Sequence, residues 1–234
     1  VLRGRGYGNE SSPDLLNNEF FCPQGGVAEY SPDYYFIALG SSHPSAPQSA
    51  QGFVISGCEF YNSFDGEQCN MMIQVSADYV DGNPNVIRDC YFHHAHESLV
   101  HVYSGHNIFR NCEFEHTSDA CLKQVFRGRN NNAIRALMEV YNCQFSYYGD
   151  HAVYHDADGQ DNFDLVMKNC IATGNNGIGF MNNEEQVFAS RDGSITLRGN
   201  ALIENCTVYH NRQYGRREGM DVDRTAGIYI ANSE

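Results

Sequence analysis

Only two lysines occur in the 234 residues, and one of them, Lys123, falls among other chemically able side chains. The runs Leu99 to Tyr103, Cys121 to Val125 and Ala152 to Asp156 carry apolar residues at Val100, Leu122 and Val153. If those three point inward on strands, the next residues, His101, Lys123 and Tyr154, point outward. Two places later stand Tyr103, Val125 and Asp156. An imidazole, an ammonium, a phenol and a carboxylate then share one face, within about 5 to 10 Å of one another on neighbouring strands. The same rows also suit a mixed polar face with no chemistry. Just before the three runs stand Glu97, Asp119 and Asp150. Stacked carboxylates repel unless a cation, a shared proton or an arginine intervenes. They read as a Ca²⁺ site, an acid/base pair or a solvated rim of turn residues.

Two further groups stand out. His93, His94 and His96 put three histidines within four residues, a set able to hold a metal, or a plain surface cluster where no second ligand set adjoins. Tyr103, Tyr147, Tyr148 and Tyr154 can stack on sugar rings, although the chain has no Trp.

The elements that position these residues follow from an internal repeat. Ile108-Phe-Arg-Asn-Cys-Glu-Phe114 has the same grammar as Val54 to Phe60, Val86 to Phe92, Glu139 to Phe145, Val166 to Ala172 and Leu202 to Val208. Cys and the apolar residue two places on share a strand face. Another apolar residue lies three places before Cys, an odd spacing that requires a bend. The bend position holds Gly57, Asp89, Asn111, Asn142, Asn169 and Asn205, types that tolerate a left-handed backbone. The spacing predicts strand, one-residue bend, strand, with Cys58, Cys90, Cys112, Cys143, Cys170 and Cys206 in an inward column. A further strand is expected after each phrase, at Met71 to Val75, the three runs above, Ile178 to Asn182 and Ile228 to Asn232. Long insertions are expected at 78–85, 127–135, 157–164, 183–194 and 211–224. The shortest spacing between repeat cysteines, 22 residues from Cys90 to Cys112, sets the size of one repeat.

On these phrases the chain resembles the right-handed parallel β-helix proteins, the pectin-lyase-like superfamily, over residues 52 to 234. The resemblance implies an all-β solenoid of about seven to eight coils with long loop insertions, preceded by an irregular segment, 1 to 51, that holds a first coil or a cap. It implies a carbohydrate-acting or carbohydrate-binding protein, outside the cell or on its surface, with a polysaccharide as partner. A polysaccharide lyase or glycosidase is the enzyme it suggests. In uronate lyases of that type a lysine or tyrosine removes the proton beside a carboxylate and a neighbouring cation stabilises the anion. By that resemblance Lys123 or Tyr154 is the base, His101 or His155 a proton donor, and Arg127 or Arg129 the substrate clamp. No pectate-lyase Asp-His signature and no polygalacturonase Asn-Thr-Asp or Gly-His-Gly motif occurs. No family's catalytic set therefore transfers residue by residue. The rival class is structural, a solenoid segment of a surface fibre, adhesin or tailspike.

Composition narrows the partners. Net charge is −14, which disfavours nucleic acid and, over most of the surface, acidic polymers; a local basic patch can still hold one. No stretch is long and apolar enough to span a membrane as a helix. The nine cysteines include no Cys-x-x-Cys pair, so a structural zinc site is not expected. Asn205-Cys-Thr207 is a glycosylation sequon expected to be inaccessible in a core repeat. Neither Val1 to Arg3 nor Gly227 to Ala231 carries a capping helix, so open coil ends are expected, either continued by further chain in the natural protein or available for self-association between copies.

Overall fold

The computed structural model describes residues 15–16, 19–22, 35–40, 50–62, 71–95, 98–117, 119–126, 134–148, 151–157, 162–173, 193–209 and 226–230. Among them there is no helix, and every strand pairing is parallel. The strands fall into three stacks, and each repeat adds one rung to each.

The first stack takes Leu15–Leu16, Val54–Ser56, Asn85–Arg88, the second half of Val100–Arg110, Ala136–Tyr141, Phe163–Lys168 and Asn200–Glu204. The second takes Glu19–Cys22, Glu59–Asn62, Tyr91–Ala95, Glu113–Thr117, Gln144–Tyr148, Ile171–Thr173 and Thr207–Tyr209. The third takes Tyr35–Gly40, Met71–Ser76, the first half of Val100–Arg110, Ala120–Val125, His151–Asp156, Gly193–Arg198 and Ala226–Ile230. Parts of residues 1–51 thus belong to the stacks. The strand expected at Ile178 to Asn182 lies outside the described residues. Its rung is filled by Gly193–Arg198, whose first two residues fall in the insertion expected at 183–194.

The bend between the first and second stacks is where the sequence placed it. Gly57, Asp89, Asn111, Asn142, Asn169 and Asn205 all have φ between +52° and +63°. Their side chains form a ladder on the surface. Asn111 Nδ2 donates to Asp89 Oδ1 at 3.1 Å, Asn142 Nδ2 to Asn111 Oδ1 at 3.2 Å and Asn205 Nδ2 to Asn169 Oδ1 at 2.7 Å. Asn205 is exposed, contrary to the expectation of an inaccessible sequon, because the bend turns its side chain away from the core. The backbone N–H at each of the first five bends is satisfied by the next rung, as in Asn111 N–H to Tyr141 O at 3.0 Å.

The cysteine one place later turns inward. Cys58, Cys90, Cys112, Cys143 and Cys170 are buried, and Cys206, in the last rung described in the first and second stacks, is half-buried. Each thiol faces the carbonyl two residues earlier, at 3.1 Å for Cys90 and 3.2 Å for Cys170. Cys112 and Cys170 also face carbonyls one rung back, at 3.6 Å. A small apolar residue with a weak donor fits that position better than Val or Ala, which offer no S–H. Two residues on, Phe60, Phe92, Phe114 and Phe145 stack in a second column, with centroids 4.7, 4.9 and 5.1 Å apart. Each such pair adds about 0.5–1.5 kcal/mol beyond burial of its area.

A second bend separates the second and third stacks. His94, His116 and Tyr147 have φ of +62°, +53° and +50°, and their rings stack at 4.7 and 4.6 Å. The same odd spacing is present here. Phe92 and Ala95, Phe114 and Thr117, and Phe145 and Tyr148 are buried pairs three residues apart. The passage from third to first stack uses positive-φ glycine in four repeats, at Gly40 and Gly52, Gly82, Gly105 and Gly199. Gly105 and Gly199 have positive φ, and a Cβ on either would lie 3.1 or 2.6 Å from the Cβ of Ala77 or Ala157.

Replacing Asn111 by Ala puts a side chain with no local hydrogen bond into the left-handed region, which costs about 1–2 kcal/mol, and removes two ladder bonds. Asn111→Gly removes the bonds but not the backbone preference. Denaturation midpoints are expected to fall in the order wild type, Gly, Ala. Equal midpoints for Ala and Gly would show that the bend does not control stability.

Candidate functional site

The third stack carries the site. Its inward residues are Val100, Leu122 and Val153, all fully buried. The register pairs Gln74 with His101, His101 with Lys123, and Lys123 with Tyr154. His101, Lys123 and Tyr154 are therefore cross-strand neighbours about 4.8 Å apart along the stack. Val125 pairs with Asp156, so the carboxylate stands diagonally from Lys123.

Contacts within this row are specific. Lys123 Nζ donates to Asp119 Oδ2 at 2.7 Å, and Ser98 Oγ donates to the same oxygen at 2.8 Å. The ammonium also lies 5.7 Å from the Tyr154 ring centroid. Tyr154 OH donates to Asp156 Oδ2 at 2.9 Å. His101 is buried, with Nδ1 3.2 Å from both the Tyr103 hydroxyl and Met71 Sδ. The His101 and Tyr103 rings stack at 4.3 Å, and the His151 ring lies 5.0 Å from that of Tyr154.

Burial alone would raise the Asp119 pKa. The Lys123 charge and hydrogen bond, with Ser98 and His151, outweigh it and hold the carboxyl below the usual carboxylate range. The result is a fixed cation and anion beside a phenol whose own proton already points at a carboxylate. Such a set can take a proton through Tyr154 and Asp156 and can stabilise negative charge at Lys123.

Not every expected residue joins this face. His155 has the parity of Val153 and is fully buried inside, with Nδ1 2.8 Å from Gln124 Oε1. Burial removes it from the set of proton donors in contact with solvent. Tyr148 is likewise fully buried, because the bend at Tyr147 turns it into the core, so its ring is not open to a sugar. Glu97, Asp150, Arg127, Arg129 and His96 lie outside the described residues. Among the described residues no three His, Cys, Asp or Glu side chains gather to hold a metal. Asp119 already faces an ammonium, so a calcium ion there would have to compete with Lys123. Ser98 and His151 were missed. They occupy the rung position one residue after Glu97 and Asp150, and extending the alignment by one place would have found them.

The histidine cluster lies on the second stack. His93 Nε2 is 3.0 Å from Glu59 Oε1, and its ring stacks on Tyr61 at 5.1 Å and Tyr91 at 4.3 Å. Tyr91 OH donates to Glu115 Oε1, and His116 Nδ1 lies 3.4 Å from the same oxygen. No protein-family model, no curated protein and no solved structure matches the chain. No helix among the described residues is long and apolar enough to cross a membrane.

Two histidines set an acid limit on this architecture. Burial pushes His155 down to about 4, only partly opposed by Asp156 and Asp164. Burial, followed by His93 and His116, pushes His94 down to about 4. An unfolded histidine binds its proton near pH 6.5. The unfolded state therefore binds more protons between about pH 6.5 and 4, and stability falls as pH drops through that window. The melting temperature should be level above pH 6.5 and decline below it. The double substitution His94→Asn and His155→Gln should flatten the decline, Asn being suited to the left-handed position. An unchanged slope in that variant would place the acid sensitivity elsewhere.

Proposed function

We propose that the three stacks close into a right-handed parallel β-helix, and that the outer face of the third stack binds and acts on a polysaccharide outside the cell or at its surface. The observation that carries this reading is the Lys123 ammonium, 2.7 Å from Asp119 and 5.7 Å from the Tyr154 ring. An extended polymer fits a row whose polar groups recur at every rung better than a small ligand does. In this reading Tyr154 is the base and Asp156 receives the phenolic proton. Lys123 stabilises the anion formed on the sugar, as an ordered cation does in a lyase step. Asp119 and Ser98 position Lys123. His101 and Tyr103 form the floor beside it, and Arg127 and Arg129 follow the same strand as the nearest candidate clamps.

The test is depolymerisation of a panel of neutral and acidic polysaccharides, read both as new reducing ends and as absorbance of unsaturated sugars. Lys123→Ala and Tyr154→Phe should each lower turnover by at least about 100-fold, the usual scale for losing one acid–base or charge-stabilising group. Their melting temperatures should stay within a few degrees of wild type, because both side chains sit on the surface of the stack. Turnover that survives both substitutions would mean that the row is only a polar face.

A further inference from the structure

The first stack carries a second feature that the third-stack site does not use. Ser56, Arg88, Arg110, Tyr141, Lys168 and Glu204 are consecutive cross-strand neighbours. Each stands immediately before a left-handed bend residue, so all six side chains leave the rungs at the same place. Arg88 and Arg110 are exposed and directly opposite each other. Like charges in that relation destabilise a sheet. Two of only fifteen cations meet here in a chain of net charge −14.

The carboxylates beside the column are hydrogen-bonded to other groups, although Glu139 also feels the Arg110 charge. Asp89 Oδ1 accepts the Asn111 amide. Glu139 takes His106 Nε2 at 2.6 Å on one oxygen and the Tyr141 hydroxyl on the other. Glu204 takes Lys168 Nζ at 2.7 Å. Arg110 lies 5.6 Å over the Tyr141 ring. Among the described residues neither Arg88 nor Arg110 has an ion-pair partner within 4 Å. Two guanidiniums at rung spacing, followed by an aromatic ring and a lysine, span about 14 Å along the stack.

We propose that this column binds an acidic polysaccharide laid parallel to the stack. Successive guanidiniums would take the carboxylate or sulfate groups of successive sugars in forked hydrogen bonds, and Tyr141 would meet a sugar face. The rung rise of about 4.8 Å is close to the length of one sugar in an extended chain, whereas charges along one DNA strand recur about every 3.4 Å. The negative charge elsewhere on the protein does not prevent this. At about 0.15 M salt, repulsion beyond about 8 Å is largely screened, while contact pairs are not. The inference rests on the polysaccharide reading only for the chemical type of the chain; the residues and the face are different.

The experiment is affinity electrophoresis near 0.15 M salt in gels containing polygalacturonate, dextran sulfate or neutral dextran, with a single-stranded oligonucleotide of matched charge as competitor. The wild type should be retarded by at least one acidic polymer and not by dextran, and which polymer acts tells carboxylate from sulfate. Arg88→Gln with Arg110→Gln should weaken retardation at least tenfold without lowering the melting temperature, both side chains being exposed and their mutual repulsion being removed. Arg135→Gln, an exposed arginine beside Asp81 and outside both the column and the third-stack row, should bind as wild type does. No retardation by either acidic polymer, equal retardation of the arginine double variant, or release by the oligonucleotide at matched concentration would each overturn the proposal. A Lys123 variant that keeps full turnover would instead sink the third-stack function and leave this one standing.

Discussion

Six residues held at positive φ, one in each repeat, are the constraint on which the other regularities rest. A strand alternates inward and outward, so two inward residues cannot lie an odd number apart without a break in that alternation. One left-handed residue supplies the break. It lets the chain leave the first stack and enter the second with an apolar face toward the core on both sides. Asn, Asp and Gly meet this demand at small cost because a short polar side chain, or none, relieves the clash between Cβ and carbonyl. Once the bend recurs in register, cysteine falls over cysteine and phenylalanine over phenylalanine. The stacked rings and the amide ladder are consequences of that recurrence.

The same regularity makes the candidate site possible. No single repeat holds Lys123, Asp119, Tyr154 and His101 together. They meet because residues about 22 and 31 positions apart occupy the same place on adjacent rungs. Chemistry built in this way depends on register rather than on a local motif. A slip of one residue would bury Lys123 and expose Leu122. The insertion points leave the rungs near the ends of the third-stack strands, so loop length can vary without disturbing the row.

Much of this was legible in the sequence, for a reason that can be stated residue by residue. The bend at Asn111 was readable because Phe109 and Cys112 are both apolar and three apart. The pairing of His101, Lys123 and Tyr154 was readable because Val100, Leu122 and Val153 fix the parity. The second bend obeys the same rule at Phe92 and Ala95, yet it was obscured. Histidine at 94 suggested a ligand, whereas at 94 and 116 its tolerance of the left-handed region was the property in use. Tyr148 suggested a sugar platform for the same reason, and the odd spacing from Phe145 sends it inward. The strand Gly193–Arg198 was not read, and its first two residues were placed in the insertion at 183–194. The alternation of Ile195 with Leu197, followed by Gly199, matches Val100, Val102 and Gly105.

Val100–Arg110 is unbroken across two stacks. Its eleven residues leave the third stack and enter the first with only Gly105 to absorb the turn, and Cys112 follows Cys90 by the shortest interval between repeat cysteines. Closing a short connection loses less chain entropy than closing a long one, and contacts between near neighbours in sequence form sooner. In a molecule whose rungs touch only adjacent rungs, order can spread from whichever one assembles first. The rung built on Val100–Arg110 is the natural nucleus, and folding would run outward from it in both directions. Cotranslational synthesis would then leave the first repeats waiting for the middle of the chain to emerge before they acquire a lasting partner.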